Sequence, residues 1–291
     1  MALPLPSTLS PSKVSSFTDC ALAFRFSAID RLPEPPSPAA TKGTLVHAAL
    51  EKLFCLPPTQ RTVATALTCL DTAVESMRDH PDLVGLELDD EGLASLLDDA
   101  EQLVRRYFEL EDPAHIEPIG LELSLEVTLG SLRLRGIIDR LELDADGNLV
   151  VTDYKTGRAP NADYERTKLG GVQFYSFLCE RLLGVRPAKV QLLYLSEPVA
   201  LVASPTEQST RALERKVSAV WAAIERACER EDFRPKPSKL CAWCAFQQYC
   251  PAYGGDPSDA PRDMRRSPTN LGEVGDRSDA PSDPTSSLLP T

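Results

Sequence analysis

The stretch RGIIDRLELDADGNLVVTDYKTG, from Arg135 to Gly157, decides the fold, because it reads as two β-strands joined by a tight turn. The turn residues Ala145-Asp146-Gly147 suit a three-residue hairpin loop. The last position of such a loop takes a positive φ, which glycine adopts at little cost. The spacing therefore predicts an antiparallel hairpin with a fixed register.

In that register two carboxylates face each other. Asp139 lies directly opposite Asp153, and Lys155 projects from the same face of the sheet as Asp153. Like charges that face each other destabilise a sheet, so a divalent metal between the carboxylates would compensate. A solvated face with an Asp-Lys ion pair is the alternative, and a register change of one residue would separate the carboxylates.

The composition indicates a globular protein. The chain has 291 residues, of which 42% are hydrophobic, enough for one large domain or two small ones. It has no run of about 18 apolar residues, and its start lacks the basic-then-apolar order of a signal peptide. We therefore expect a cytoplasmic protein with no membrane partner. The 8 cysteines, at uneven spacing, indicate reduced thiols or metal ligands more than a disulfide framework.

The net charge of −12 is concentrated in one segment, since residues 71–112 contain 14 acidic and 3 basic residues. The remainder of the chain is close to neutral and can carry a locally basic cleft. The charge therefore neither favours nor excludes a nucleic-acid partner.

The order of the elements favours an α/β (α+β) fold with a mixed sheet flanked by helices. Helices are predicted at residues 15–31, 43–54, 63–78, 92–110, 164–183 and 206–231, and strands at 120–129, 132–143, 149–155, 189–195 and 199–202. The proline-rich residues 32–41 are expected to form a loop. From residue 254 onward the composition indicates a disordered tail, 254–291.

One histidine lies on a predicted amphipathic helix. The apolar residues between Gly43 and Phe54 form a single stripe, which leaves His47 and Glu51 together on another face. A lone histidine on a helix is more often a packed or surface residue than a ligand. The helical pattern alone therefore does not assign His47 to a metal.

A second group of candidate ligands lies in KLCAWCAFQQYCP, which contains Cys241, Cys244 and Cys250. Zinc and iron-sulfur clusters both favour four ligands, so one more cysteine is needed. The soft thiolate ligands suit both groups and therefore do not distinguish zinc from an iron-sulfur cluster. Cys20 is our choice, although spacing alone does not decide it. The other cysteines lie in or beside helical patterns, where a thiol packs as a small apolar group: Cys55, Cys69, Cys179 and Cys228.

Four segments together resemble the RecB-type exonuclease family of the PD-(D/E)XK superfamily. They are SSFTDCALAFRF, KGTLVHAALEKLF, GIIDR followed by DYKTG, and CAWCAFQQYCP, and they cover about Leu9 to Tyr253. The resemblance is to the iron-sulfur branch, with the CRISPR-associated four-cysteine exonucleases and the nuclease domain of AddB. It implies a restriction-endonuclease-like domain over residues 1–253, with a helical insertion at about 60–112 and a cluster-binding end at about 234–253.

The resemblance also implies roles for individual residues. His47, Asp139 and Asp153 would bind Mg2+ or Mn2+, and the carbonyl of Tyr154 would join them. Lys155 would position or deprotonate the attacking water. Phosphodiester hydrolysis needs a hydroxide-like nucleophile and stabilisation of phosphoryl charge, and a carboxylate-bound divalent ion provides both.

The four cysteines of the family pattern would hold a [4Fe-4S] cluster, and this comparison is what favours Cys20 as the fourth ligand. The cluster would join the N- and C-terminal segments as a staple. Relatives often have a glutamate near the metal, and Glu122 or Glu126 lies at the corresponding place without an assigned role.

The chain departs from the family at the Gln-x-x-x-Tyr pattern that helps to hold nucleic acid. An alignment on Tyr175 puts Gly171 in place of the glutamine, and an alignment on Gln173 puts Phe177 in place of the tyrosine. Gln173 and Tyr175 are both kept as candidate nucleic-acid contacts.

We expect a Mg2+- or Mn2+-dependent DNA exonuclease that acts on single strands or DNA ends in repair, recombination or defence. A separate helicase or repair protein is a candidate partner, because the chain carries no Gly-x-x-x-x-Gly-Lys-Ser/Thr motor motif. The alternatives are an iron-sulfur DNA-binding scaffold without turnover and a zinc-stapled structural protein.

Overall fold

The computed structural model describes residues 2–160 and 162–261, and only the backbone of residues 162–172. The helices are α1 (Pro11–Asp19), α2 (Ala21–Phe24), α3 (Pro38–Phe54), α4 (Val63–Met77), α5 (Pro81–Val84), α6 (Asp90–Leu110), α7 (Ala162–Leu183) and α8 (Glu207–Arg230). The strands are β1 (Pro118–Leu129), β2 (Leu132–Leu143), β3 (Leu149–Lys155), β4 (Lys189–Tyr194) and β5 (Val199–Ala203).

The strands form one five-stranded sheet in the order β1-β2-β3-β4-β5. Strands β1, β2 and β3 form an antiparallel meander, α7 connects β3 to the parallel strand β4, and β5 is antiparallel to β4. The predicted turn is confirmed, because Gly147 has a φ of +78° and Asp144 N–H donates to the carbonyl of Asn148. The prediction of a mixed sheet flanked by helices is confirmed.

Strands β2 and β3 separate near their ends. Their pairing runs from Leu143 opposite Leu149 to Arg140 opposite Thr152 and stops there. Further along, the edge of β2 is occupied by the N-terminal segment, since Leu9 N–H donates to the Arg133 carbonyl at 2.8 Å. We call the gap between residues 136–139 of β2 and 153–155 of β3 the fork.

Two apolar cores hold the helices on the sheet. One contains residues of β2, β3, α7 and α8, among them Leu141, Val151, Phe177 and Val217. The other joins α3, α4 and α6 to the sheet through Tyr154 and Leu193. The helices within residues 60–112 therefore share a core with the strand that carries Asp153. Among the described helices, none combines the length and apolar character needed to cross a bilayer.

Three predicted boundaries were wrong. Helix α3 begins at Pro38, inside the expected loop, because proline lacks only an N–H that the first helical position does not use. The predicted helix at 15–31 is interrupted at Cys20, whose backbone is extended. The start of the predicted tail at residue 254 is too early, since Pro257–Asp259 forms a 3-10 turn and Ala260 is buried. Residues 262–291 of that tail lie outside the described residues.

Candidate active site

The fork fixes the position of Asp139. With no ladder partner on β2, the amide of Tyr154 donates instead to Asp139 Oδ2 at 2.6 Å. The same oxygen lies 3.5 Å from His47 Nδ1 on α3. A buried backbone N–H needs an acceptor, so the carboxylate is held in place by the divergence of the two strands.

Asp153 lies on the other side of the fork and is only 2% exposed. Its Oδ1 accepts a hydrogen bond from the Tyr175 hydroxyl at 3.0 Å, and its Oδ2 forms an ion pair with Lys155 Nζ. Lys155 therefore projects from the same face as Asp153, as the register predicted. Asp139 is close enough to Asp153 for its charge to raise the Asp153 pKa. The three charges lie near one another, but Asp139 and Asp153 are not ladder partners as predicted, because the pairing of β2 and β3 ends at Arg140 and Thr152.

Glu122 lies on β1 opposite Asp139 of β2. The β1–β2 pairs on either side of it are Leu121 with Arg140 and Leu123 with Ile138, so the register is the same on both sides. Glu122 itself has a φ of +44°, which is uncommon for a residue other than glycine. The ligand atoms of His47, Glu122 and Asp139 all lie within 4.8 Å of one another.

Glu126, the other glutamate that the sequence left open, lies away from the site. It is exposed, and its carboxylate bonds Arg133 at 2.6 Å. The sequence treats the two glutamates alike, because both alternate along the same strand. The signal that separates them is the register of the β1–β2 hairpin, which places Glu122 opposite Asp139 and Glu126 opposite Arg135.

Burial and negative charge raise the pKa of two carboxyl groups of the site. Burial raises the pKa of Glu122 to about 7, and the Asp139 carboxylate contributes in the same direction. Burial also raises the pKa of Asp153, although the charge of Lys155 opposes this effect. A bound cation would remove part of this cost, because it stabilises the charged forms.

The neighbouring carboxylates raise the pKa of both basic groups of the site. Burial works to lower the pKa of Lys155, but the adjacent Asp153 carboxylate outweighs it and the Lys155 pKa is raised. Burial also acts to lower the pKa of His47, but the hydrogen bond to Asp139 outweighs it and the His47 pKa is raised. Without a cation at the carboxylates, Lys155 is therefore an ammonium that can orient an anion or a water.

A buried arginine, Arg140, holds the side chain of Tyr154 in place. Arg140 is fully buried, and its Nη1 donates to the hydroxyl of Tyr154 at 2.8 Å. Its Nη2 donates to Glu111 at 2.8 Å, just after α6, and Nε bonds Glu142. The ring of Tyr154 meets the His47 imidazole edge-on, with centroids 5.9 Å apart. The arginine thus fixes the residue whose amide holds Asp139, a role that sequence reasoning missed.

Gly136 of β2 lets α7 approach the fork. A Cβ on it would lie 2.8 Å from Leu178 Cδ1 and 3.3 Å from Tyr175 Cε1. Of the two alternative alignments on α7, the one on Tyr175 reaches the site, because Phe177 is fully buried in the core. Gln173 is half-buried, and within the described residues it makes no hydrogen bond to a site residue.

The donor set fits a divalent cation. An imidazole and carboxylates offer ligands that suit Mn2+, and carboxylates suit Mg2+. Among the described residues, the Lys155 ammonium is the only partner of the buried Asp153 Oδ2, so a bound cation would compete with Lys155 for this oxygen. A cavity of about 500 Å3 opens beside the group and is lined by residues that include His47, Glu51, Glu122 and Thr156.

The structure also gathers the four candidate cysteines. Cys20, Cys241, Cys244 and Cys250 line one cavity of about 260 Å3. Burial raises the pKa of the Cys244 thiol, and negative charge on the other three raises it further, so the four are close neighbours. Ser238 N–H donates to Cys241 Sγ at 3.3 Å.

The remaining cysteines lie elsewhere. Cys69, Cys179 and Cys228 are buried, as expected of small apolar groups, whereas Cys55 is exposed at the end of α3. The C-terminal segment is held against the N-terminal one by aromatic contacts. Phe26 lies 5.5 Å from Phe246, centroid to centroid.

Known proteins share this sequence pattern and fold. A family model described as the PD-(D/E)XK nuclease superfamily matches residues 8–251. The Gene 69 protein of Mycobacterium phage D29 is 25% identical over 278 residues, covering 86% of this chain and 98% of the phage protein. The Gene 69 protein of Mycobacterium phage L5 is 26% identical over 137 residues, covering 46% of this chain and 45% of the phage protein.

Among solved structures, a proposed exonuclease from Eubacterium rectale superposes with a TM-score of 0.53. The match covers 82% of this chain and 87% of that one at 13% sequence identity. At this identity the likeness shows a shared fold alone.

The raised pKa of Glu122 has a measurable consequence for stability. Its neutral carboxyl is favoured in the folded protein, so the stability that it contributes is complete below its ordinary pKa of 4.5 and is lost as the pH rises through about 7. We therefore expect Glu122→Gln to raise the melting temperature of the metal-free protein at about pH 8 and to leave it nearly unchanged at about pH 5. The expected scale is about 2–4 °C for each kcal/mol.

Thermal denaturation in EDTA at the two pH values measures this difference. Glu126→Gln is the matched control, because that glutamate lies on the same strand but is exposed and paired with Arg133. A Glu122→Gln shift that is equal at both pH values would contradict the account.

Proposed function

This chain belongs to the PD-(D/E)XK nuclease superfamily, and from that premise we propose that it is a metal-dependent DNA exonuclease acting on single strands or DNA ends. Membership of this superfamily by itself supports a hydrolase that acts on nucleic acid. The observation that carries the proposal is the group of His47, Glu122 and Asp139 beside Lys155 in the fork.

His47, Glu122 and Asp139 would hold Mg2+ or Mn2+, with Asp153 and the Tyr154 carbonyl as further ligands. When bound, such an ion supplies an activated water and stabilises charge on the phosphoryl oxygens. The protein fixes the ligands beforehand: the Tyr154 amide holds Asp139, and the Tyr175 hydroxyl holds Asp153. Burial raises the pKa of the Tyr175 hydroxyl, and the charge of Asp153 raises it further, so this hydroxyl stays a donor.

Lys155 would orient the attacking water and the scissile phosphate. Its ammonium already contacts a buried carboxylate at the mouth of the site, and a cation that neutralises Asp153 would free it for the substrate. Removal of a proton by Lys155 requires that its pKa fall first. A positioning role is therefore the primary one.

The substrate preference and the biological role are inferred from sequence motifs. Exonuclease action, preference for single strands or ends, and a role in repair, recombination or defence follow from the resemblance to the RecB-type family, its CRISPR-associated members and AddB. A separate helicase or repair protein is the partner that such a domain would need for duplex DNA. The open cavity beside His47 and Glu122 is large enough to admit a strand end.

A second candidate function is a DNA-binding scaffold with little or no turnover. The observation that favours it is the incomplete Gln-x-x-x-Tyr pattern, because Tyr175 reaches the site and Gln173 does not bond to it. A scaffold would bind DNA in Mn2+ without cleaving it.

Digestion of an end-labelled single-stranded oligonucleotide tests the enzyme proposal. We expect cleavage in Mg2+ or Mn2+, none in EDTA, and release of the label without cutting of circular single strands. Lys155→Ala should lower the rate by about 10²–10⁴-fold. Lys216→Ala, an exposed lysine of α8, is the control and should cleave normally. Cleavage by Lys155→Ala at the wild-type rate would refute the assigned role.

We also propose that the four clustered cysteines hold a [4Fe-4S] cluster. All four cysteines line one cavity, which supports a shared inorganic group. The hydrogen bond from Ser238 N–H to Cys241 Sγ is of the kind that tunes iron-sulfur clusters. The choice of iron-sulfur over zinc follows from the resemblance to the four-cysteine exonucleases.

Anaerobic purification tests the cluster. We expect a brown protein with about four irons and four sulfides per chain. Cys244→Ala should lose the iron, whereas Cys55→Ala should keep it, because Cys55 is exposed and outside the cavity. A colourless protein with stoichiometric zinc and no iron would favour the zinc-stapled alternative.

A further inference from the structure

We propose that Lys13, Arg31 and Arg135 form a binding site for a backbone phosphate of the nucleic-acid strand whose end is hydrolysed in the fork. We call these three residues the basic cluster. The inference rests on the proposed function, since it names where the substrate strand is held away from the reacting bond.

The N-terminal segment brings Lys13 beside Arg135. Lys13 Nζ donates to the carbonyl of Thr8 at 3.0 Å. The next residue, Leu9, accepts a hydrogen bond from Arg135 N–H at 3.0 Å. The Lys13 ammonium on α1 is therefore held beside the edge of β2. This is the end of the fork at which the N-terminal segment pairs with β2.

Both arginines lie close enough to Lys13 for their charges to act on it. Burial lowers the pKa of Lys13, and the positive charges of Arg31 and Arg135 lower it further. Within the part of the chain that the structure describes, no carboxylate forms an ion pair with any of the three. A like-charged group without a counter-ion destabilises the folded protein, and a phosphate would relieve that cost.

The arginines offer free donors. Arg135 is exposed, and among the described residues it donates only through Nε, to Ser124 Oγ at 3.2 Å, which leaves its two Nη groups available. Arg31 is exposed and has a φ of +55°. A left-handed backbone conformation is unfavourable for an arginine. Such strain persists only where the surrounding structure holds the residue in place. An arginine fork suits phosphate oxygens better than any other side chain.

The basic cluster lies at a useful distance from the fork. Arg135 precedes Asp139 by four residues on β2, which corresponds to about 13 Å at about 3.3 Å per residue. Between them Ile137 is 43% exposed and offers an apolar contact for a base or sugar. A strand with its terminal phosphodiester at the metal ligands could therefore place a phosphate a few nucleotides away on the basic cluster.

Arg133, on the same strand, differs from Arg135 because it is paired with a carboxylate. Both its Nε and its Nη2 donate to Glu126 Oε1, at 2.8 and 2.6 Å. Glu126 is the cross-strand neighbour of Arg135, yet its carboxylate bonds Arg133 instead. Arg133 is therefore neutralised, and the charge of Arg135 is not.

Fluorescence anisotropy with a fluorescein-labelled single-stranded oligonucleotide tests the basic cluster. The titrations are done in EDTA, so that no hydrolysis occurs, at several salt concentrations. We expect Arg135→Ala and Arg31→Ala each to weaken binding about tenfold or more, since hydrogen bonds to charged groups are strong. Each should also reduce the slope of log K against log salt by about 0.7. Arg133→Ala is the matched control and should bind as the wild type does.

Binding by Arg135→Ala and Arg31→Ala with the dissociation constant and salt slope of Arg133→Ala would overturn the inference. Circular dichroism on each variant separates loss of binding from loss of folding. The digestion assay decides the proposed function, and this assay needs no turnover, so the two can fail separately. A wild-type protein that binds no oligonucleotide would overturn both.

Discussion

The hydrogen bond from Tyr154 N–H to Asp139 Oδ2 is the interaction on which the site depends. It exists because β2 and β3 stop pairing after Arg140 and Thr152, which leaves a buried amide without a ladder partner. A carboxylate takes the place of a backbone carbonyl, and its position is then set by the sheet. His47 is brought to that carboxylate by α3, and Glu122 by the pairing of β1 with β2.

The interior behind the fork makes that geometry rigid. Arg140 is fully buried and is surrounded by Glu111, Glu142 and the hydroxyl of Tyr154. Removing one partner from such a buried group leaves an uncompensated charge, so the network specifies one arrangement of β2, β3 and the end of α6. The helical segment before the sheet therefore contributes to the site through Glu111, although none of its residues is among the candidate ligands.

Much of this site could be predicted from the sequence, because it depends on local rules. The glycine turn set the hairpin register, and the register brought Asp139, Asp153 and Lys155 together. The register of the β1–β2 hairpin likewise places Glu122 opposite Asp139. Other features depend on tertiary structure and had no local signal, since Arg140 looks like any charged residue of a strand until α6 covers it. Burial acts to lower the pKa of Lys155, and the adjacent Asp153 carboxylate outweighs it, a balance that a sequence pattern does not measure.

Anomalous diffraction from crystals grown with Mn2+ tests the central claim most directly, because it locates the ion without reference to activity. The account predicts one strong anomalous peak in the fork, within bonding distance of His47, Glu122 and Asp139, with the Tyr154 N–H still donating to Asp139. Crystals that contain Mn2+ but show no peak there, with Asp139 bonded only to His47 and Tyr154, would contradict it.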